Sequence, residues 1–231
     1  MKNYILIFSL LLFSNNLVTA KKFYTVTYSC SLSAVELSIN SQTLENNHNI
    51  EEKSSETFPS YIYEDESFVF TWKVNLTRLS FNIENKTKET VKIDWNNVIF
   101  VDCYNLVNNV MPKGAKYINH DKSFSPTIIL KGTTYEGIII PSNNVVLNAA
   151  VEWTELFLIP CVYTEEVYRE ELAPRFLGKK MRVLMPIMVG NKQYEYCFYF
   201  TIDKIINKGE TSASGGKAKR IEKYLGSKIV K

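Results

Sequence analysis

The residues of this chain that could do chemistry are few, and the cysteines come first. Cys30, Cys103, Cys161 and Cys197 are its four cysteines. Their spacing contains no C-x-x-C pair, which argues against a zinc site and against a thioredoxin-like redox pair. In an exported chain an even number of cysteines permits two disulfides, and the sequence does not separate the alternative pairings. Buried thiols that pack as small hydrophobic side chains are the other interpretation.

Histidine chemistry has little support. His48 falls in a polar stretch that is typical of a loop, and His120 has a carboxylate neighbour only in the adjacent Asp121. The chain also lacks a G-x-S-x-G elbow, an H-E-x-x-H pair, a Walker loop and a G-x-G-x-x-G turn. We therefore predict no catalytic residue, no cofactor and no metal ligand, and we expect a protein that is not an enzyme.

The carboxylates leave one enzymatic alternative open. A pair of acidic residues in a glycoside hydrolase has no spacing signature, so a carbohydrate-active or other hydrolase on the same fold stays an alternative. Acidic residues are frequent between residues 45 and 66, but the alternating carboxylates and glycine of a calcium loop are missing. We interpret this stretch as solvated surface. Its members are Glu45, Glu51, Glu52, Glu56, Glu64, Asp65 and Glu66.

The element around which the chain must fold is the β pattern of residues 68–103. Large apolar residues alternate there with polar ones, which is typical of half-buried strands. The apolar positions are Phe68, Phe70, Trp72, Val74, Leu76, Leu79, Phe81, Ile83, Val91, Ile93 and Trp95. The phase shifts at residues 76–79, which predicts a bulge or bend, and residues 85–89 predict the turn of the first hairpin.

A second hairpin is predicted over residues 181–202, with its tight turn at Gly190 and Asn191. Pro186 cannot donate a ladder hydrogen bond, so its strand is expected at an edge or with a bulge. An aromatic row shares one strand face, and we expect it to be core rather than a stacking platform for sugars or bases. The row is Tyr194, Tyr196, Phe198, Phe200 and Ile202.

The remaining elements are shorter. Residues 23–29 and 35–39 are predicted strands, and residues 40–60, rich in Asn, Ser, Glu and Lys, are predicted as an exposed loop or linker. Residues 164–172 are the best helix candidate, which Pro174 limits to a few turns. Hydrophobic residues make up 45% of the chain, enough to bury a sizeable core.

The N-terminus predicts the compartment. Lys2 precedes an apolar run from Tyr4 to Phe13, and small or short residues occupy the −3 and −1 positions of a cleavage site after Ala20. This pattern is typical of a secretory signal peptide over residues 1–20, and the run is shorter than the roughly 20 residues of a spanning helix. Cys30 lies too far downstream to carry a lipid anchor. We expect an exported protein, periplasmic, at the cell surface or secreted.

The C-terminus differs in charge from the body. Residues 204–231 carry eight basic and two acidic residues, or +6, whereas residues 21–203 carry 18 and 22, or −4. Residues 209–216 predict a flexible linker and residues 217–225 a short basic helix. Peripheral contact with an anionic surface would use this charge, and a mobile solvated tail is the alternative.

Between the signal peptide and the basic tail we predict two parts of the chain. Residues 21–65 hold N-terminal strands and an acidic loop, and residues 66–203 form a sandwich domain.

The sequence of the predicted hairpin at residues 79–95, LSFNIENKTKETVKIDW, resembles hairpin sequences of exported, lipoprotein-like β-sandwich proteins of Bacteroidetes-type bacteria. The resemblance covers residues 66–203 and implies an Ig-like, antiparallel all-β sandwich without assigning an activity. A lipobox is absent. We therefore expect a non-enzymatic envelope or secreted module that binds or scaffolds an unknown envelope protein or glycan through loops at one end, and no nucleic acid. A eukaryotic secreted protein is a third interpretation, which requires glycans on Asn75 and Asn85.

Overall fold

The computed structural model describes residues 20–44, 50–53, 59–147, 152–213 and 217–218. Within these residues 59% of the chain is strand, and one complete α-helix, α1 (Glu166–Leu172), is present. The strands are β1 (Lys21–Ile39), β2 (Gln42–Leu44), β3 (Ile50–Lys53), β4 (Ser60–Glu64), β5 (Phe68–Val74), β6 (Leu79–Asn85), β7 (Val91–Ile93), β8 (Ile99–Val101), β9 (Val107–Met111), β10 (Thr127–Ile129), β11 (Thr134–Pro141), β12 (Val145–Leu147), β13 (Trp153–Glu155), β14 (Val162–Tyr163), β15 (Lys180–Val189) and β16 (Lys192–Ala213). Short 3-10 helices are Trp95–Asn97, Tyr117–Asn119, Ser142–Asn144 and Ala173–Phe176.

The strands form two facing layers, and every strand pair between described residues is antiparallel. The first layer has the order β14-β1-β16-β15-β8, with β7 and β10 continuing outward from one end of β15. The second layer has the order β11-β6-β5-β4-β3. Strand β9 pairs with β8 and with β11 and so joins the two layers. The fold is an all-β antiparallel sandwich with one short helix, as the sequence predicted.

Aromatic side chains from β5 and β16 meet between the layers. The ring of Phe198 lies 4.8 Å from Phe70 and 4.8 Å from Trp72, and Phe200 lies 5.3 Å from Trp72, measured between centroids. All four side chains are fully buried. The predicted aromatic row is therefore core, which is confirmed for every member except the half-buried Tyr194. Burial of such large rings is the main force that holds the layers together.

The turn of the first hairpin was predicted at the wrong residues, 85–89. Strands β5 and β6 pair from Val74 opposite Leu79, so residues 75–78 form the turn, closed by a 2.9 Å hydrogen bond from Asn75 N to Arg78 O. Strand β7 pairs with β10 and β15 instead of returning along β6. The phase shift at these residues marked a reversal rather than a bulge, and Leu76, predicted to face the core, is exposed at the turn.

The edge position predicted for the strand of Pro186 is also wrong. Strand β15 is central, because it pairs with β16 on one side and with β8 and β7 on the other. The β8 ladder covers residues 182–184 and the β7 ladder covers residues 187–189. Pro186 lies in the gap between these two ladders. A missing amide proton is tolerated there because no neighbouring strand on that side pairs with the residue.

The N-terminal and C-terminal boundaries differ from the prediction as well. Strand β1 is one continuous strand inside the first layer, and β3 and β4 extend the second layer, so residue 66 is not a domain boundary. Residues 209–213 belong to β16 and pair with Lys21–Thr25 of β1 instead of forming a flexible linker. A neighbouring strand overrides the local preference of a Gly/Ser sequence, since it supplies the partner that such a segment lacks by itself. Outside the described residues lie residues 1–19, His48, Glu45, Glu56 and most of the predicted helix at 217–225.

Candidate binding cleft

Three turns meet at one end of the sandwich and enclose an open cleft of about 440 Å³. They join β4 to β5, β6 to β7, and β15 to β16, so both layers contribute. The cleft is lined by Glu66, Ser67, Thr87, Lys88, Glu89, Val189, Asn191, Lys192 and Tyr194. Its volume falls in the range of small-ligand sites. We take it as the candidate functional site.

Asp65 fixes the first of these turns. One carboxylate oxygen accepts hydrogen bonds from the backbone amides of Ser67 and Phe68, both at 2.8 Å. The other accepts from the hydroxyl of Tyr196 at 2.7 Å, and Tyr196 belongs to the opposite layer. Burial, followed by the nearby Asp65 charge, raises the pKa of Tyr196 well above its usual range. The turn is therefore held to both layers by one carboxylate, and Asp65 has little capacity left for a ligand.

Asn85 fixes the second turn from inside the protein. Its side chain is fully buried, and its amide nitrogen donates to the carbonyl oxygens of Glu89 at 2.8 Å and Leu130 at 3.2 Å. Its oxygen accepts from the amide and the hydroxyl of Thr87, at 3.0 and 2.7 Å. Such a local side-chain network replaces backbone hydrogen bonds and gives the turn a defined shape.

The third turn approaches the second closely. Gly190 adopts a φ of +56°, which favours glycine, and a β-carbon at this position would collide with the Glu89 carboxylate. The turn was predicted from Gly190 and Asn191, and the structure confirms it. Close contact between the two turns holds the Glu89 side chain at the wall of the cleft.

The lining of the cleft is mostly polar, is balanced in charge and includes one aromatic residue. Glu66 and Glu89 supply carboxylates, and Lys88 and Lys192 supply ammonium groups, all four on exposed residues. Tyr194 is half-buried, and its ring packs edge-on against Phe68 at 6.1 Å between centroids. An aromatic surface bordered by hydrogen-bonding groups suits a ligand that has one apolar face and many hydroxyl or amide groups.

A second polar cluster surrounds Glu155 on a different part of the molecule. Its carboxylate is 7% exposed and accepts from Thr77 Oγ1 at 2.7 Å and from Arg78 Nε at 2.9 Å. The second guanidinium nitrogen of Arg78 and the hydroxyl of Tyr117 also donate to it. With this many donors the carboxylate has no free position from which to accept a substrate proton. The cluster fastens the β5–β6 turn to β13.

His120 lies near this cluster and is half-buried, with its ring 5.5 Å from the ring of Trp153. Asp121 is exposed. His120 does not line the cleft, so the two regions are chemically separate. Among the described residues, no group of three or more His, Cys, Asp or Glu side chains has the geometry of a metal site.

The cysteines are divided between the two sides of the first layer. Cys30, Cys103 and Cys161 are buried in the core, and burial raises the pKa of Cys30 to about 12. Cys197 alternates with the core residues of β16 and therefore points to the outer face. A two-disulfide arrangement does not fit this fold, because each of its pairings requires Cys197.

The glycosylation sites behind the third interpretation do not fit the structure. Asn85 is fully buried and its amide nitrogen is engaged by backbone carbonyls, so a glycan cannot occupy it in this fold. Asn75 is half-buried and donates to Ser80 Oγ at 2.9 Å. The sequence N-K-T at residues 85–87 instead has a structural role in the turn.

The sequence indicated the turns of the cleft separately but not their convergence. Two signals for these turns were present in the sequence. Asp65 precedes Ser67 and Phe68, whose backbone amides it accepts from, and Asn85 precedes Thr87 by two residues. Compared with protein-family models, with curated proteins and with solved structures, the chain shows no significant match. The function of the cleft is therefore inferred from its own geometry.

Proposed function

We propose that this protein is an exported, non-enzymatic β-sandwich module of the cell envelope or the extracellular medium, and that it binds a glycan in the cleft at the end of the sandwich. The observation that carries the proposal is the cleft itself, whose lining combines the aromatic residue Tyr194 with hydroxyl, amide and charged groups of three turns. A sugar ring presents an apolar face to an aromatic side chain and hydroxyl groups to its polar rim.

The rigidity of the cleft supports binding. Asp65 and Asn85 hold two of the turns through buried or half-buried hydrogen bonds, so little conformational entropy is lost when a ligand enters. Functional residues on loops that a rigid scaffold positions are the usual arrangement in β-sandwich binding modules.

Export is supported by the position of the predicted cleavage site. Strand β1 begins at Lys21, directly after the predicted cleavage site, and Ala20 is exposed, so a cut after Ala20 would leave every described strand intact. In the part of the chain that the structure describes, no helix has the length and apolar character needed to cross a membrane. The basic residues that follow β16 in the sequence would contact an anionic envelope surface. This part of the proposal is argued from their charge alone.

The test is binding of the full chain to an array of envelope polysaccharide fragments, followed by calorimetric titration of the best fragment. Tyr194→Ala should weaken binding about tenfold, the effect of roughly 1.4 kcal/mol of lost ring contact. Tyr168→Ala is the matched control, because Tyr168 is exposed on α1 outside the cleft. Equal affinities of the two variants, or no binding of the chain to any fragment of the array, would contradict the proposal.

A glycoside hydrolase is the second candidate, because Glu66 and Glu89 line the same cleft. The general acid of such enzymes is normally desolvated, whereas both of these residues are exposed. Release of reducing sugar from the bound fragment distinguishes the two functions. If the chain releases sugar and Glu66→Gln or Glu89→Gln abolishes the release while binding persists, the protein is a hydrolase.

A further inference from the structure

The two outer faces of the sandwich differ in chemistry. On the outer face of the second layer, charged or polar residues prevail, such as Thr71, Lys73, Asn82, Glu84 and Glu136. An antiparallel sheet normally presents such a solvated outer face. The outer face of the first layer does not follow this pattern.

The outer face of the first layer carries a continuous apolar surface, which we call the apolar face. It consists of Ile99, Val101, Leu184, Pro186, Met188 and Cys197, all half-buried. Strand pairing makes these residues neighbours, since Ile99 lies opposite Leu184 and Leu184 lies opposite Cys197. Val107, paired with Val101 and 66% exposed, extends the face at one border.

Charged residues are separated across this face. Arg182 lies on β15, and Lys92 lies on β7 opposite Met188. Glu195 lies on β16 opposite Pro186, and Glu36 lies on β1 opposite Cys197. The cations thus occupy one side of the apolar face and the carboxylates the other.

The surroundings of Cys197 show how close these groups are. Burial raises the pKa of the Cys197 thiol, the Tyr199 hydroxyl and Arg182 lower it, and Glu36 raises it. The Tyr199 hydroxyl donates to the Glu36 carboxylate at 2.8 Å, which draws this carboxylate toward β16.

We propose that the apolar face is the interface of a homodimer in which two copies of the chain pack face to face. A two-fold axis that lies between β15 and β16 and runs parallel to them brings β15 of one copy over β16 of the other. Leu184 then faces Cys197 of the partner subunit, and Arg182 faces Tyr199 of the partner subunit with its bound Glu36. The face is self-complementary, as an isologous interface requires. This charge separation favours a second copy over an unrelated partner.

The size of the face sets the expected affinity. Four strands about 4.8 Å apart and seven residues at about 3.4 Å each give roughly 400 Å² in projection. The two copies together would bury roughly 800 Å², less than a stable interface of standard size, so we expect a weak, transient dimer with a Kd no tighter than the micromolar range.

The first test is the mass of the full chain in solution by analytical ultracentrifugation between about 1 and 500 µM. We expect a monomer–dimer equilibrium of the 26.7 kDa chain, or of the shorter chain if residues 1–20 are removed. Leu184→Glu should weaken dimerisation more than 100-fold. Thr71→Glu, on the outer face of the second layer, is the matched control and should leave the Kd unchanged. A monomer at all concentrations, or a dimer that tolerates Leu184→Glu, would overturn the proposal.

A second test does not depend on an apolar position. Arg182→Glu and Glu36→Arg should each weaken dimerisation at least tenfold, because each places like charges across the interface. A mixture of the two variants should form a heterodimer of wild-type affinity, since both of its cross-pairs join opposite charges. Failure of the mixture to associate better than either variant alone would refute the arrangement. The glycan titration is independent, since the cleft and the apolar face share no residue.

Discussion

Replacement of Asn85 gives the sharpest test of how the cleft is built. In the variant Asn85→Asp the oxygen that accepts from Thr87 is kept, but the amide nitrogen that donates to Glu89 O and Leu130 O becomes a carboxylate oxygen. The variant therefore places a negative charge against carbonyl oxygens in a site that is fully buried. The shape of the side chain hardly changes, so the effect isolates the lost donors and the added charge.

The magnitude follows from the contacts. Two donated hydrogen bonds are lost, each worth about 1 kcal/mol net, and leaving the carbonyl oxygens unpaired adds about 1 kcal/mol more. Burial and the facing carbonyl oxygens should raise the pKa of the new carboxyl group above its unfolded value of about 3.9. Each pKa unit of this rise lowers the unfolding free energy at neutral pH by about 1.4 kcal/mol. We expect a loss of about 4 kcal/mol of unfolding free energy at pH 7.

The pH dependence has a definite sign. The folded variant binds its proton more tightly than the unfolded variant, so its stability falls as pH rises from about 4 through the folded pKa. Below about pH 4 both states are protonated, the acid can donate one hydrogen bond, and the deficit should shrink to about 2 kcal/mol.

The assay is urea unfolding followed by tryptophan fluorescence at pH 7 and pH 4, with free energies compared at unchanged m-value. Asn82→Asp, exposed on the same strand, is the control and should change stability by less than about 0.5 kcal/mol. A loss of less than about 1.5 kcal/mol for Asn85→Asp at pH 7, or an equal deficit at both pH values, would refute this account of the turn.

Three further predictions concern the aromatic core and the Glu155 cluster. Phe198→Ala should lower the free energy of unfolding by urea by about 3–5 kcal/mol, because the Phe198 ring packs between the two layers. A loss below about 2 kcal/mol would contradict this packing. Burial raises the pKa values of Tyr28 and Tyr196, so their neutral forms stabilise the fold below about pH 10 and this contribution is lost as pH rises; absorbance at 295 nm should show them ionising only with unfolding, not in the folded state. Glu155→Gln should cost about 1–2 kcal/mol, reduced because Arg78 is 35% exposed, and a double-mutant cycle with Arg78→Gln should give a coupling near 1 kcal/mol; additive losses would mean no ion pair in solution.

The sequence alone determined the fold class and the identity of the core. Alternation in residues 68–83 and 194–202 requires one strand face to be dry, whatever the neighbours are, so Phe70, Trp72 and Phe198 were assigned to the interior correctly. Gly190 and Asn191 were enough to place a tight turn, because few residues adopt its backbone angles.

Partners in space were decided only by the tertiary structure. Periodicity says which face of a strand is buried but not which strand lies beside it, so the β5–β6 turn was placed about ten residues too late in the chain and β15 was assigned to an edge. Residues 209–213 have no local preference for a strand and form one because β1 lies alongside. The cleft and the apolar face combine residues that are distant in sequence, and only the packing of the layers brings them together.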